Sequence, residues 1–357
     1  MKFIDLEKQY KRINKKIDLA ISNVFNNCNF INGPEVTELE NRLRKYTGAK
    51  YCISCSSGTD ALLIALMAIG IKQGDEVITS PFTFASTVET IFLLGAKPIY
   101  ADINIDDFNI NPDLIEDLIS PKTKAIVPVS LFGQCANMKL INEIGKKYNI
   151  PVIEDGAQSF GATYHGKKSC ALTDIGCTSF FPSKPLGCYG DGGAIFTSSS
   201  ELNELMKSIR SHGQEKRYQH TRIGINGRLD TIQAAILLQK MEIFDDEIER
   251  RINVANYYSE NLSSKYIVPK EFENTQSVYA QYSILSSDRN QTIKRLEDCK
   301  IPFAIHYPKV AYKQKAFLDC NFECGVAEDV SNRILSLPMH PYMKKSQQNI
   351  ILDCLNN

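Results

Sequence analysis

Strand-like and helix-like segments alternate between residues 49 and 154, and this alternation restricts the possible folds more than any other feature. The strand-like runs are 49–54, 76–79, 98–101, 125–129 and 152–154, and the helix-like segments are 61–69, 85–94, 112–119 and 139–148. Such alternation is typical of a largely parallel sheet with helices on its faces. Ligands of these proteins bind beside the carboxyl ends of the strands. The sequence therefore predicts an α/β fold with its site along one edge of the sheet.

The pattern changes near residue 242, which indicates a second structural unit. A helix at 247–262 is followed by a strand at 279–285, a helix at 291–299 and a further strand from Phe303. This mixture is typical of an α+β domain. A chain of 357 residues is long enough for one large and one small domain. We predict a large domain over residues 1–241 and a smaller C-terminal domain over residues 242–357.

The charge balance argues against nucleic-acid and membrane partners. Lys and Arg together number 41, as do Asp and Glu, so the formal net charge is zero. A neutral chain gives no argument for a broad basic surface that would attract nucleic acid or an anionic membrane. The first residues contain no apolar leader segment, and no later run has the length of a membrane span. An odd count of 11 cysteines without a leader predicts reduced thiols and a cytoplasmic protein.

Two cysteine pairs show spacings that are also found in redox and metal sites. Cys52 lies on a predicted strand and Cys55 directly follows it, and no second C-x-x-C completes a zinc-binding set. Cys320 and Cys324 have no histidine nearby in the sequence. We predict structural thiols at both pairs, buried at the first, and no metal site.

One lysine follows an apolar, strand-like run and sits between two prolines. Pro182 and Pro185 fix the backbone on both sides of Lys184, and a glycine-rich turn follows at 190–193. A lysine held in this way and partly removed from water has a lowered pKa and can attack a carbonyl group. The ordinary alternative is a solvated surface lysine. We predict a nucleophilic Lys184 that forms a Schiff base with a carbonyl compound.

A second signal is an apolar strand that delivers two adjacent carboxylates into a turn of small residues at 156–159. Because side chains alternate along a strand, Glu154 is expected on the face opposite to Asp155. Asp155 can face a ligand at the end of the strand, or it can simply cap the next helix. The sequence alone leaves both roles open.

The segment 56–60 joins a strand to a helix through small residues. Free amides and the helix dipole at such a junction favour a phosphate group. An ordinary helix N-cap by Ser57 or Thr59 explains the same residues.

The run Ser-Phe-Phe-Pro-Ser-Lys-Pro-Leu-Gly at 179–187, with Gly-Asp-Gly-Gly-Ala at 190–194, resembles the cofactor-binding segment of the DegT/DnrJ/EryC1/StrS nucleotide-sugar aminotransferases. The resemblance extends from Phe3 to the Leu-Pro-Met-His-Pro stretch at 337–341. It implies the fold type I of transferases that use pyridoxal 5′-phosphate (PLP), with a large PLP-binding domain and a smaller C-terminal domain. It also implies a cytoplasmic homodimer with shared active sites.

The resemblance assigns roles to particular residues. It implies that Lys184 is catalytic and binds PLP covalently, and that Asp155 faces the ring nitrogen, which keeps the ring able to accept electrons. The other implied cofactor contacts are Gly58, Thr59 and Ser179 at the phosphate, Phe84 on the ring face, Gln158 near the phenolic oxygen, and Asn226 reaching the phosphate of the neighbouring subunit. The implied substrate contacts are Arg228, His306 and Tyr307. Three of these residues have ordinary alternatives: Phe84 can be a core aromatic, Arg228 a surface residue and His306 a structural hydrogen-bonding residue.

The implied reaction moves an amino group from L-glutamate to a keto-sugar nucleotide, with Lys184 as general base and acid. The segments 51–55, 179–193 and 280–282 resemble the branch that aminates UDP-2-acetamido-2-deoxy-3-oxo-D-glucuronate for lipopolysaccharide O-antigen. Acceptors with a dTDP- or UDP-linked 3-keto or 4-keto-6-deoxy sugar are alternatives. A PLP-dependent sugar dehydratase and an interaction-only regulator remain open as other classes. One group of such dehydratases replaces the lysine, and a regulator would be expected to lose Lys184 or Asp155, whereas this chain has both. A nicotinamide-dependent oxidoreductase is disfavoured because no G-x-G-x-x-G follows the first strand.

Overall fold

The computed structural model describes residues 1–319 and 321–357. In this part of the chain the α-helices are α1 (Leu6–Asn27), α2 (Pro34–Thr47), α3 (Gly58–Ala68), α4 (Ala85–Leu93), α5 (Met138–Tyr148), α6 (Ser200–Arg210), α7 (Thr231–Met241), α8 (Phe244–Asn261), α9 (Arg289–Asp298), α10 (Gly325–Arg333) and α11 (Lys345–Asn356). The strands are β1 (Tyr51–Cys55), β2 (Glu76–Thr79), β3 (Lys97–Tyr100), β4 (Thr123–Val127), β5 (Ile153–Asp155), β6 (Thr163–Tyr164), β7 (Lys167–Lys168), β8 (Ile175–Ser179), β9 (Gly193–Thr197), β10 (Gln214–Lys216), β11 (Gln219–His220), β12 (Tyr266–Ile267), β13 (Thr275–Gln276), β14 (Tyr282–Ser286) and β15 (Ile334–Leu337).

The central sheet is largely parallel, which confirms the predicted α/β fold. Its two parts have the strand orders β1-β9-β8-β5 and β3-β2-β4. Parallel bridges join β4 to β5 at Ile126–Val152 and Val129–Asp155. Only β9 runs against its neighbours, because it is antiparallel to both β1 and β8. The carboxyl ends of the other strands therefore meet along one edge of the sheet.

Helices cover both faces of this sheet, as adjacent residues of β9 show. Ile195 lies in one buried cluster with Ile64 of α3. Phe196 lies in a different cluster with Leu39 of α2 and Leu237 of α7. A strand that is apolar on both faces is expected in the interior of a sheet that helices sandwich.

The C-terminal part contains a smaller antiparallel sheet with the strand order β12-β14-β15. Its core includes Tyr258 of α8, Tyr282 of β14, Leu296 of α9, Leu335 of β15 and Leu355 of α11. The predicted boundary between residues 241 and 242 falls in the short connection between α7 and α8. The division into two domains at this point stays a prediction.

Two predicted elements are wrong in detail. Residues 112–119 form two short 3-10 helices (Pro112–Leu114 and Glu116–Leu118) instead of one α-helix. The expected strand from Phe303 is reduced to one antiparallel bridge between Ala304 and Ser336. Prolines flank this segment at 302 and 308, and a proline has no N–H to extend a ladder.

The two cysteine pairs behave as structural thiols where the structure describes them. Cys52 and Cys55 are buried and free, as predicted, and Cys324 is also buried and free. The prediction for Cys320 lies outside the described residues. Within residues 1–319 and 321–357, no helix combines the length and the apolar character that crossing a membrane requires.

Candidate active site

A cavity of about 440 Å³ opens at the sheet edge where the parallel strands end. Its walls come from segments that directly follow β1, β4, β5 and β8, from the turn between β2 and α4, and from the C-terminal part of the chain. Nine residues predicted from the sequence line it: Gly58, Thr59, Phe84, Asp155, Gln158, Ser179, Lys184, His306 and Tyr307. The topology therefore brings together residues that lie up to 249 positions apart, from Gly58 to Tyr307.

Lys184 lies in the loop between β8 and β9, just after a turn. Its backbone N–H donates to the Phe181 carbonyl at 2.9 Å, which closes this turn. The residue lines the cavity and is partly exposed, and its amine lies deep enough among protein atoms to be desolvated. This burial lowers the pKa of Lys184 to about 8, against the opposing attraction of Asp155. The amine is thus poised to be a neutral nucleophile near physiological pH.

Asp155 is the last residue of β5, and its buried carboxylate is held from two sides. Thr87 of α4 donates to Oδ2 at 2.7 Å, and the Ala157 N–H donates to Oδ1 at 3.1 Å. The Thr83 hydroxyl lies 2.9 Å from that of Thr87 and extends this network. Burial raises the pKa of Asp155, while Thr87, Ala157 and the charge of Lys184 oppose the rise. Because a carboxylate has about four lone-pair sites, Asp155 keeps capacity for a donor in the cavity.

Glu154 points away from the cavity, as the alternation along a strand predicts. Its Oε1 accepts from Ser130 at 2.8 Å and from Ser169 at 2.7 Å. Its Oε2 accepts from the Cys170 N–H at 2.7 Å. Burial raises the pKa of Glu154. Of the two adjacent carboxylates, Asp155 therefore faces the cavity, whereas Glu154 forms hydrogen bonds on the other side of the strand.

The N-terminus of α3 forms an anion cradle against Ser179. Ser57 is the N-cap, and its side chain accepts from the Asp60 N–H at 3.0 Å. Within the described chain no acceptor is found for the amides of Gly58 and Thr59. A Cβ on Gly58 would lie 2.7 Å from the Cβ of Ser179, so only glycine allows this approach. Free amides at a helix start are a suitable site for a phosphate.

The opposite wall of the cavity is aromatic and polar. Gln158 accepts from the Phe132 N–H at 2.8 Å and donates to the Tyr307 hydroxyl at 2.9 Å. The Phe84 ring, 56% exposed, lies 6.2 Å from the Tyr307 ring. The expected contact of Gln158 with the cofactor stays a prediction, as does stacking by Phe84.

His306 combines the two roles that the sequence left open. Its Nδ1 lies 2.9 Å from the Ser336 hydroxyl, which is a structural contact, and the residue also lines the cavity. Burial, together with the positive charge of Lys184, lowers the pKa of His306. A neutral imidazole can offer a substrate either a donor or an acceptor.

Asn226 and Arg228 lie outside the lining of this cavity. Asn226 is exposed in the single chain and pairs with Ser211 in an antiparallel bridge. Arg228 is partly buried, and its Nε has no hydrogen-bond partner among the described residues. The roles predicted for both residues therefore require a second subunit or a bound substrate, and they stay predictions.

Several residues of this site were not predicted from the sequence, and Thr87 and Gln281 are among them. Thr87 holds the Asp155 carboxylate, and Gln281 lines the cavity with a side-chain oxygen that has no partner among the described residues. The spacing of Thr83 and Thr87, four residues apart at the start of a helix, was a signal that a polar network faces the sheet edge.

These residues fit PLP. The cradle at α3 and Ser179 suits the phosphate, the buried carboxylate of Asp155 suits a protonated ring nitrogen, and the amine of Lys184 suits the carbonyl carbon. Among the described residues, no group of three or more His, Cys, Asp and Glu side chains is arranged to hold a metal ion.

The fold and this cavity define a PLP-dependent aminotransferase of fold type I. The chain belongs to the DegT/DnrJ/EryC1/StrS aminotransferase family, whose sequence profile matches residues 11–356.

Three comparisons place the chain within this family. It is 52% identical over 358 residues to the UDP-2-acetamido-2-deoxy-3-oxo-D-glucuronate aminotransferase of Pseudomonas aeruginosa, with 100% of both chains covered. It matches the crystal structure of a DegT/DnrJ/EryC1/StrS aminotransferase from Brucella abortus with a TM-score of 0.95 and 41% identity, covering 99% of this chain and 98% of that one. It also matches NtdA from Bacillus subtilis with bound cofactor PMP, with a TM-score of 0.90 and 31% identity over 96% and 80% of the chains.

Proposed function

We propose that this protein transfers the amino group of L-glutamate to UDP-2-acetamido-2-deoxy-3-oxo-D-glucuronate. The observation that carries the proposal is the 52% identity over the full length to an aminotransferase of that name. The cavity supports it, because it keeps the amine of Lys184 and the carboxylate of Asp155 at one sheet edge. We further infer a cytoplasmic role in lipopolysaccharide O-antigen assembly, which an aminated uronic acid would serve.

The residues of this chain divide the work of the reaction. When bound, PLP supplies an electron sink for the carbon that loses or gains a proton. Gly58, Thr59 and Ser179 would hold its phosphate, and Asp155 would keep its ring nitrogen protonated. Lys184 would hold the cofactor covalently at rest, and its Nζ, once freed by the amino donor, would accept the proton from the donor's Cα. The same amine returns a proton to the sugar carbon that receives the amino group.

The acceptor is proposed to enter past His306 and Tyr307, which line the cavity. The basic side chains in this lining are Lys184 and His306, and the amine of Lys184 takes part in the reaction itself. The carboxylate and diphosphate of the acceptor therefore need a further cation, and Arg228 is the candidate.

A homodimer with shared sites would bring Arg228 and Asn226 to the cavity. Apolar side chains around this segment are exposed in the single chain: Ile223 at 83% and Ile31 at 52%. Ile31 pairs with Asp230 in an antiparallel bridge, so it lies next to the segment that carries Asn226. Covering such residues with a second copy would remove apolar surface from water.

The acceptor assignment can be tested with a panel of keto-sugar nucleotides. Protein reconstituted with PLP is incubated with L-glutamate and each acceptor, and the nucleotide sugars are analysed by mass spectrometry. We expect an aminated product with the 3-oxo-glucuronate acceptor at the highest kcat/KM. A better 3-keto or 4-keto-6-deoxy acceptor would overturn the specific substrate, and a dehydrated product would indicate the dehydratase alternative.

The matched control for this test is Lys168→Ala. Lys168 is also partly buried and its pKa is also lowered by burial, but it lies outside the cavity and donates to the Gly161 carbonyl. We expect Lys184→Ala to abolish product formation and Lys168→Ala to leave it nearly intact. Product formation that survives in Lys184→Ala would contradict the assigned chemistry.

A further inference from the structure

A second buried lysine lies behind the loop that carries Lys184. Lys240 of α7 is only 2% exposed, and its Nζ donates to the Gly187 carbonyl at 2.6 Å. The same nitrogen lies 4.0 Å from the centroid of the Tyr189 ring. Burying an ammonium group is costly unless its contacts compensate, and burial lowers the pKa of Lys240 to about 8 although Glu247 and Cys188 oppose the shift. An apolar residue would fill this position on α7 at lower cost, so the contacts of the lysine require an explanation.

The Gly187 carbonyl is a sensitive point in the Lys184 loop because the loop folds back on itself there. The Cys188 N–H donates to the Phe180 carbonyl at 2.8 Å, which closes the base of the loop. A Cβ on Gly187 would lie 2.6 Å from the Phe181 carbonyl oxygen, the group that accepts from the Lys184 N–H. Any shift of Gly187 is therefore transmitted to the turn that presents Lys184.

A second contact from α7 fixes the same side of the loop. Gln233 accepts from the Tyr189 N–H at 2.9 Å and donates to the Tyr189 carbonyl at 3.3 Å. Lys240 and Gln233 lie seven positions apart, about two turns of one helix. Helix α1 packs over this contact, because Ile17 lies in a cluster with Ile236 of α7 and with Tyr189. The loop is thus held from α7 at two points, and the Lys240 contact is shielded from water.

We propose that Lys240 is a positioning residue for Lys184, and that its ammonium fixes the Gly187 carbonyl and so the turn that presents the Lys184 amine to the cavity. Lys240 touches neither the cavity lining nor any reacting atom. The proposal rests on the proposed function only in that Lys184 is the reactive amine. Its effect is already present in the PLP-free protein, so it can be measured without catalysis.

The test compares wild type with Lys240→Met in the PLP-free protein. Each lysine is acetylated with a small amount of acetic anhydride at a series of pH values, and the modification of Lys184 is read by peptide mass spectrometry. In wild type we expect a midpoint for Lys184 near pH 8, since its pKa is lowered to about 8. In Lys240→Met we expect the midpoint to move up towards the value of exposed lysines. Amide hydrogen exchange over residues 181–189 should become about tenfold faster or more.

Three further variants keep the proposal falsifiable. Leu296→Ala removes a buried side chain from the C-terminal core and destabilises the protein without touching the loop. It should lower the melting temperature while leaving the Lys184 midpoint and the exchange of 181–189 unchanged. Gln233→Leu should shift the Lys184 midpoint and the exchange of 181–189 in the same direction as Lys240→Met, but by less. If Lys240→Met does not fold, Gln233→Leu takes its place in the test. Lys240→Arg keeps a cation and a donor, and it should restore part of the wild-type behaviour.

The outcomes separate the positioning role from a structural one and from failure of the proposed function. A folded Lys240→Met with wild-type midpoint and exchange overturns the proposal, even if its melting temperature falls. Wild-type protein that never takes up PLP would overturn the proposed function while leaving the acetylation result interpretable.

Discussion

At the scale of single residues, burial determines how the two central ionisable groups behave. It lowers the pKa of Lys184 to about 8 and raises the pKa of Asp155. The charge of each group opposes the pKa shift of the other, and Thr87 donates a hydrogen bond to the carboxylate. The site therefore holds an amine that loses its proton easily beside a carboxyl that needs a donor. PLP satisfies both, because it brings a carbonyl carbon and a ring nitrogen.

The lowered pKa of Lys184 predicts how covalent capture of PLP depends on pH. The rate, followed by absorbance after mixing with PLP-free protein, should rise through about pH 8, because the neutral amine is the nucleophile. An exposed lysine peptide serves as the control, and its rate should still rise up to about pH 10.4. A rate for the protein that follows the peptide would contradict the burial of the amine.

The same shift has a consequence for stability. Between about pH 8 and 10.5, the unfolded chain keeps the Lys184 proton that the folded protein has lost. Stability rises with pH where the unfolded state binds more protons. The free energy of unfolding of PLP-free wild type should therefore rise relative to Lys184→Met across this window. Urea titrations of both proteins measure it, and a difference that stays constant with pH would be the contrary result.

Asp155→Asn tests the carboxylate directly. The neutral amide cannot form a charge-assisted hydrogen bond, which is worth about 1.5–3 kcal/mol, so PLP affinity should fall about 10- to 150-fold. Fluorescence titration with PLP measures the loss. Glu154→Gln is the control, because Glu154 lies on the opposite face of β5 and binds Ser130 and Ser169. It should lower the melting temperature and leave PLP affinity nearly unchanged; equal losses in both variants would refute the assignment.

At the scale of elements, the approach of α3 to the end of β8 makes the phosphate cradle. Gly58→Ala would place a Cβ 2.7 Å from that of Ser179, so helix and strand must separate and PLP should bind more weakly. Gly325→Ala at the start of α10 is the control, since nothing lies within 4 Å of the position that its new Cβ would take and no positive φ strains it. Equilibrium dialysis with PLP compares the two. Similar affinities would mean that the cradle does not hold the phosphate.

Most elements could be predicted because each has a local signal. Strand β2 was predicted with its observed bounds, and α3 was predicted three residues late because Ser57 and Thr59 are both acceptable caps. The prediction of a strand from Phe303 was wrong, because a run of apolar residues does not show whether an adjacent strand can pair with it. Thr87, Gln281 and Lys240 escaped prediction since their roles depend on distant partners that only the folded chain brings close.

At the scale of the whole molecule, the parallel sheet assembles the site and a second copy is expected to complete it. Asn226→Asp should weaken PLP binding by placing a negative charge near the phosphate of the neighbouring subunit. Lys184→Ala lacks the reactive amine in its own cavity. Co-refolding the two impaired variants should create mixed dimers with one intact site, because the intact Lys184 and the intact Asn226 then meet. Activity that does not return, although mixed dimers form, would show that the sites are not shared.

The most direct measurement of the central claim is an absorbance spectrum of the purified protein with PLP, before and after L-glutamate, beside that of Lys184→Ala. We expect a visible band in wild type that depends on Lys184 and converts to a near-ultraviolet band when glutamate is added. Addition of the keto-sugar nucleotide should restore the visible band. A wild-type protein without any PLP band that depends on Lys184 would contradict the aminotransferase assignment, and a band that ignores glutamate would contradict the proposed donor.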